Sequence, residues 1–167
     1  MSDAGQAKGL QSRTEILGTL RKSLRQARER NASLWTPRTN PVTAMRRFSR
    51  DVDGILRALW NDFAIPQASL IAVGGYGRDA LAPFSDVDLL ILMPEGYREA
   101  AIAPQAEALV SGFWDIGLDA GHSIRSLSEC MQQAQDDLTI ATALLESRWI
   151  AGPKPPVAAL KHAWFEQ

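Results

Sequence analysis

The chain has 167 residues, a length that fits one domain with a buried core. Its 46% hydrophobic and 22% charged residues are ordinary for a globular fold, and no apolar run reaches the roughly 18 residues that would span a bilayer. One cysteine, Cys130, excludes an internal disulfide, and residues 1–10 lack the apolar stretch of a secretory signal, so the cytoplasm is the expected compartment.

In chain order, residues 1–11 are expected to fray. Ser12-Arg13-Thr14-Glu15 has capping-box spacing, and Ile16, Leu17, Leu20, Leu24 and Ala27 follow at helical intervals, which predicts a helix to about Arg30. Asn31 to Pro41 reads as a linker. Asn40 is a candidate N-cap with Pro41 in the first helical position, and Val42 to Phe63 carries Met45, Phe48, Val52, Ile55, Leu56 and Leu59 along one side of a second helix. The first 50 residues hold eleven Lys/Arg against three Asp/Glu, a net of +8 that leaves −9 on the remainder. Such a basic arm either binds an anionic partner or docks on its own acidic body, and the second reading is preferred. Nucleic acid is not the expected partner.

Ser69 to Val73 is predicted to be a strand, broken by Gly74-Gly75-Tyr76-Gly77-Arg78. A helical turn is expected over Asp79 to Leu81, and a second strand over Val87 to Met93. The latter is apolar enough to be buried on both faces. Glu95 to Gly112 reads as an alanine-rich helix and Leu118 to Arg125 as a third strand. Ser126-Leu127-Ser128-Glu129 is a second capping box opening a helix with Cys130 and Met131. Asp136 or Asp137 caps a further helix through Leu144 and Leu145. Arg148 to Ala151 is extended, and Val157 to Phe165 is a terminal helix.

The chemistry concentrates between Leu70 and Met93. Gly74-Gly75 at a strand end lets the backbone turn sharply and approach a ligand, and free N–H groups of a following helical turn can face a phosphate. By itself a glycine pair after a strand is only a turn. The spacing fits neither the dinucleotide fingerprint nor a P-loop. In Ser85-Asp86-Val87-Asp88-Leu89, strand alternation points both carboxylates to one face. Two acids side by side on an apolar strand repel each other and call for a cation. Their hard oxygens suit magnesium, which takes one or two carboxylates plus substrate phosphates. The simpler reading makes Asp86 a turn cap.

The combination of h-G-G with D-h-D eleven residues on resembles the signature of the polymerase-beta-like nucleotidyltransferase superfamily. The segment from Gly74 to Leu90 is more specifically similar to the active-site block of bacterial PII uridylyltransferase/uridylyl-removing enzymes. So are Phe113 to Leu118, Gly121-His122-Ser123-Ile124-Arg125, and Asp137 to Arg148. The resemblance covers roughly residues 65–165.

That resemblance implies an α+β fold: a small mixed sheet of the polymerase-beta-like palm type flanked by helices, preceded by a helical segment. It implies an N-terminal helical arm and linker over 1–39 and a nucleotidyltransferase domain over 40–167, expected to be incomplete at its C-terminal end, because members of that family are much longer. It further implies transfer of UMP from UTP to a tyrosine of the PII signalling protein, with release of pyrophosphate. Asp86, Asp88 and a third acid would hold Mg²⁺ or Mn²⁺. Gly74 and Gly75 would hold the triphosphate, with Ser85 bonding a phosphate. Arg78 would either offset phosphate charge or pair with Asp79 or Asp86. The third acid is Asp119 or Asp115; Asp119 is preferred because it falls inside the predicted third strand. Two alternatives stay open: transfer of AMP to protein, small molecule or RNA, and a truncated binding domain without activity. His122 alternates to the face opposite Asp119 and Arg125 and reads as structural. His162 reads as a surface residue, Cys130 as a small apolar one, and the five tryptophans as packing.

Overall fold

The computed structural model describes residues 3–154, with side chains from Ser12 onward. The helix predicted over Val157–Phe165, with His162 and Trp164, lies outside the described residues.

The helix α1 (Asp3–Leu34) begins well before the expected cap at Ser12. Ala4, Gln6, Ala7, Lys8 and Leu10 are strong helix formers and outweigh Gly5 and Gly9, so no end forms at residues 11–12. The linker shrinks accordingly to residues 35–40. The second helix, α2 (Pro41–Phe63), starts as the sequence predicts: the Asn40 side chain accepts from the Val42 N–H at 2.9 Å, with Pro41 at the start of the helix.

Four strands, β1 (Ser69–Ala72), β2 (Val87–Met93), β3 (Ala120–Ser126) and β4 (Arg148–Ala151), form one mixed sheet in the order β3-β2-β1-β4. β1 pairs antiparallel with β2 and β4, and β2 pairs parallel with β3. Between the strands lie α3 (Gly74–Gly77), α4 (Glu99–Asp115), α5 (Leu127–Asp136) and α6 (Leu138–Leu145). This is the α+β architecture that the sequence leads one to expect. Among the described residues, no helix is long and apolar enough to cross a membrane.

The two faces of the sheet are covered differently. Leu70, Ala72, Val87, Leu89, Ile91 and Ile150 join α1, α2 and α4 in the main core. Ile71, Leu90 and Leu92 pack in a smaller cluster with Cys130 and Ala134 of α5 and Ala141 and Leu144 of α6. Burial raises the Cys130 thiol to about 11, in keeping with its apolar role. Basic residues of α1 meet the far end of α4: Arg21 Nε donates to the Asp115 carbonyl at 2.6 Å and Arg28 Nη2 to the Gly117 carbonyl at 3.1 Å. Cations at a helix C-terminus satisfy its open carbonyls and complement its dipole.

Further boundaries differ from expectation. The helical turn falls on Gly74–Gly77 and not on Asp79–Leu81. Gly74, at φ +58, carries β1 directly into it, while Asp79 itself sits at φ +62. Helix α4 is shifted toward the C-terminus and ends in a Gly117 turn (φ +79), with the Leu118 N–H on the Phe113 carbonyl at 2.9 Å. Leu118 therefore closes α4, and β3 opens two residues later than predicted.

Candidate active site

The turn α3 and the start of β2 meet through their backbones. The Val73 N–H donates to the Asp88 carbonyl at 3.1 Å. Register places Asp88 beside Gly121 of β3. An ideal Cβ on Gly121 would lie 2.9 Å from Asp88 Oδ1, and one on Gly74 would lie 3.3 Å from Oδ2. The Asp88 carboxylate thus stands between two glycines, one on each neighbouring segment. No side chain there crowds a ligand that would approach it. Partial burial, and then the negative charge of Asp86, hold the Asp88 carboxyl above the usual carboxylate range.

Asp86 is exposed and lies just before β2. Asp119 is exposed and lies just before β3, not inside it; its carbonyl accepts from the Val87 N–H at 3.0 Å. Extending the observed pairing of Val87 with Ala120 by one residue sets Asp119 beside Asp86. Asp115 instead ends α4, the helix that covers the opposite face. Among the described residues, no three acidic, histidine or cysteine side chains converge closely enough to form a metal cage on their own.

Arg78 pairs with neither Asp79 nor Asp86. Its Nη1 lies 2.6 Å from both carboxylate oxygens of Glu146, just after α6, leaving Nη2 beside Gly75. Gly77 makes the same junction tight: a Cβ there would fall 2.1 Å from the Glu146 carbonyl oxygen. Ser85 is exposed in the loop that leads to the dyad, next to Phe84, which is 87% exposed.

A cleft of about 420 Å³ opens over this face, lined by Gly74, Asp88, Gly121, Ser123, Asp137 and Thr139 among others. Its volume, with a mainly apolar wall that includes Val73, Leu89 and Ile140 and a few polar groups, suits a nucleotide-sized ligand.

The description "Nucleotidyltransferase domain" fits a family model that matches residues 50–142, more than half of the chain. The chain belongs to the nucleotidyltransferase domain family. Among its relatives is a bifunctional uridylyltransferase/uridylyl-removing enzyme of Chromobacterium violaceum, 44% identical over 137 residues, which are 81% of this chain and 16% of that protein. Enzymes of the same name from Bordetella parapertussis (43% over 148 residues, 88% of this chain and 17% of the relative) and Nitrosospira multiformis (39% over 151 residues, 87% and 17%) are similar. The chain therefore spans about one sixth of the length of these relatives.

Other residues of the nucleotidyltransferase domain fall into place around this site. His122 pairs with Leu89, so strand alternation turns it away from Asp88; it lines an apolar groove of about 390 Å³ between α4 and β3 and also borders the cleft at Asp88. Of the tryptophans read as packing residues, Trp60 is buried, but Trp114 is 65% and Trp35 46% exposed, so that reading fails for these two. Both sit at or just beyond a helix end, where the helical pattern no longer assigns an inward face. Gly121, Glu146, Asp137 and Thr139 also stand at this face, and the sequence alone does not mark them as site residues. An isolated glycine inside a strand marks a close backbone approach, and that is the local signal Gly121 carries.

Proposed function

We propose that this nucleotidyltransferase domain transfers UMP from UTP to a tyrosine of the PII nitrogen-regulatory protein, releasing pyrophosphate. The observation that carries the reading is the Asp88 carboxylate, flanked by Gly74 and Gly121 at the wall of a nucleotide-sized cleft. Relatives at 39–44% identity bear the name uridylyltransferase, which favours UTP over other nucleotides.

Asp86, Asp88 and Asp119 form the proposed ligand set for Mg²⁺ or Mn²⁺. The chemistry of these donors fits: hard carboxylate oxygens, one of them with its ionised form disfavoured while no cation is beside it. Bound there, the metal supplies charge neutralisation for the phosphates and lowers the pKa of the attacking hydroxyl. The residues of the chain do the rest. Gly74 and Gly75 bring backbone against the triphosphate without a side chain in the way. Arg78, fixed through Nη1 to Glu146, offers Nη2 to a phosphate oxygen beside Gly75. Ser85 offers a hydroxyl. Residues 1–39 are proposed as a helical arm on a transferase unit of 40–167, working in the cytoplasm.

Calorimetry of the chain with UTP and Mg²⁺ tests this. Metal-dependent UTP binding, lost in Asp86→Ala and Asp88→Ala, is expected. Tighter binding of ATP than of UTP would overturn uridylyl transfer. No nucleotide binding by the folded wild-type chain would overturn the whole reading for this chain.

A further inference from the structure

Beneath the turn lies a buried charged cluster that the proposed chemistry does not use. Asp53 of α2 is 4% exposed. It accepts from Tyr76 Oη at 2.5 Å and from Arg148 of β4 through Nη1 at 2.5 Å and Nη2 at 3.0 Å. Arg57 Nη2 stands 3.5 Å from the same carboxylate and its Nε holds the Ile150 carbonyl at 2.9 Å. Arg148 Nη2 also reaches the Tyr76 main-chain carbonyl at 3.3 Å, and its guanidinium lies 5.2 Å from the Tyr76 ring centre.

Stability alone does not account for this cluster. A buried ion pair gains little over apolar residues of the same shape, and here Arg148 Nε is buried without a partner. What the cluster does supply is a unique geometry for one short segment. In Gly74-Gly75-Tyr76-Gly77, three of four residues are glycine, the residue type that loses most conformational freedom on folding. Tyr76 is the only side chain in the turn, and it is held twice: its hydroxyl by Asp53 and its carbonyl by Arg148. Burial, and then Asp53, drive the Tyr76 hydroxyl far above the ordinary tyrosine range, so it remains an O–H donor at every working pH.

We propose that Asp53, Tyr76 and Arg148 are positioning residues that lock the glycine turn in the conformation that receives the nucleotide's phosphates. The nucleotide half of this inference rests on the function proposed above; the locking of the turn does not. Asp53 and Arg148 act through Tyr76 and need not touch the substrate.

Tyr76→Phe keeps the buried ring and removes one donor, while Asp53 retains both bonds from Arg148. Arg148→Lys keeps the charge but not the two-pronged fork. Two readouts apply to each variant. Amide hydrogen exchange is followed at Gly77 and Arg78, whose N–H groups close the turn on Val73 and Gly74. It is compared with exchange at Leu90 and Ile91 in β2. Exchange in the turn is expected to be at least about tenfold faster in either variant, with β2 unchanged. UTP affinity with Mg²⁺ is expected to fall about tenfold, the equivalent of one lost hydrogen bond to a charged group. Equal acceleration in turn and sheet would mark general destabilisation and overturn the proposal. So would wild-type exchange in the turn, or a loosened turn that binds UTP as tightly as the wild type. If the wild-type chain itself fails to bind UTP, the proposed function falls with the nucleotide half, while the exchange pattern still decides the locking.

Discussion

Replacing Gly121 with alanine separates the site's chemistry from its fold. The added Cβ would sit 2.9 Å from Asp88 Oδ1, and the other oxygen already has Gly74 on its far side. Real Cβ contacts seldom fall below about 3.4 Å, so the carboxylate must swing by about 0.5 Å or more. It is a short side chain on the open face, and one displaced torsion costs about 0.5–1.5 kcal/mol. At roughly 2–4 °C per kcal/mol for a domain of this size, the melting temperature should fall by about 1–6 °C. The ligand consequence is larger. Magnesium demands near-octahedral geometry at about 2.0–2.1 Å, and a misplaced ligand or its support costs about 10–100-fold in affinity. Gly121→Ala is therefore expected to melt nearly as the wild type does, yet bind Mg²⁺–UTP at least about tenfold more weakly. Thermal melting by circular dichroism and calorimetric titration read the two halves. Wild-type UTP affinity in the variant would refute the placement of Asp88 as a metal ligand between the two glycines.

Gly77→Ala should do the reverse. Its Cβ would meet the backbone of Glu146 at 2.1 Å, and backbone cannot swing aside, so a cost of about 3 kcal/mol and a melting temperature about 6–12 °C lower are expected; melting within about 2 °C of the wild type would show that α3 and the end of α6 do not meet so closely. Ser126→Ala removes the acceptor for the Glu129 N–H at the start of α5 and should cost about 1 kcal/mol in a melt, with UTP binding unchanged. The raised Asp88 carboxyl gives a pH signature. The folded state holds that proton when the unfolded state has released it, so this group's contribution makes the metal-free domain less stable as pH rises from the ordinary carboxylate value through the raised one. Glu95 and Asp137, held low by bonds from Ser128 and Thr139 respectively, contribute with the opposite sign as pH falls. A global melt mixes these contributions, so carboxyl carbon NMR of Asp88 is the proper measurement. Its titration should move to lower pH in Asp86→Asn, and an unmoved midpoint would remove Asp86 as a cause of the shift.

Where local rules act alone, the sequence is readable. Asn40-Pro41 and Ser126 with Glu129 are caps formed within a few residues, and the structure has both. Val87–Met93 has no competing pattern, and its strand ends where expected. The Asp86/Asp88 pair stands out in the sequence because two acids at the head of an apolar strand conflict with local preference, which is why they are proposed as ligands. Contacts distant in sequence were not legible. Asp53 and Arg148 are 95 positions apart, and nothing in either segment announces the other. For Arg78 the sequence offers a phosphate or a nearby acid, Asp79 or Asp86, but its carboxylate partner, Glu146, is 68 residues away across the junction with α6. Three glycines in Gly74–Gly77 read as a breaker, because propensity counts backbone freedom and not the Tyr76 anchor that removes it.

The residues proposed for the chemistry also explain why a cleft exists at all. Asp88, Leu90 and Leu92 project from β2 toward α5 and α6, and only the two leucines belong to the apolar cluster there. At the first of these positions the neighbouring strand offers Gly121, and the preceding turn offers Gly74. A helix laid over that end of the sheet would find a charge between two bare backbones at its centre, with apolar surface only at the edge, as at Val73. Closing it would cost the desolvation of the carboxylate for a small hydrophobic gain. The sheet is thus closed at one end by leucine and left open at the other by aspartate and glycine. A larger side chain at Gly121 would crowd the carboxylate along with any ligand, whereas an apolar residue at position 88 would give α6 a surface to settle on. The opening depends on the polarity of position 88 as much as on the glycines beside it.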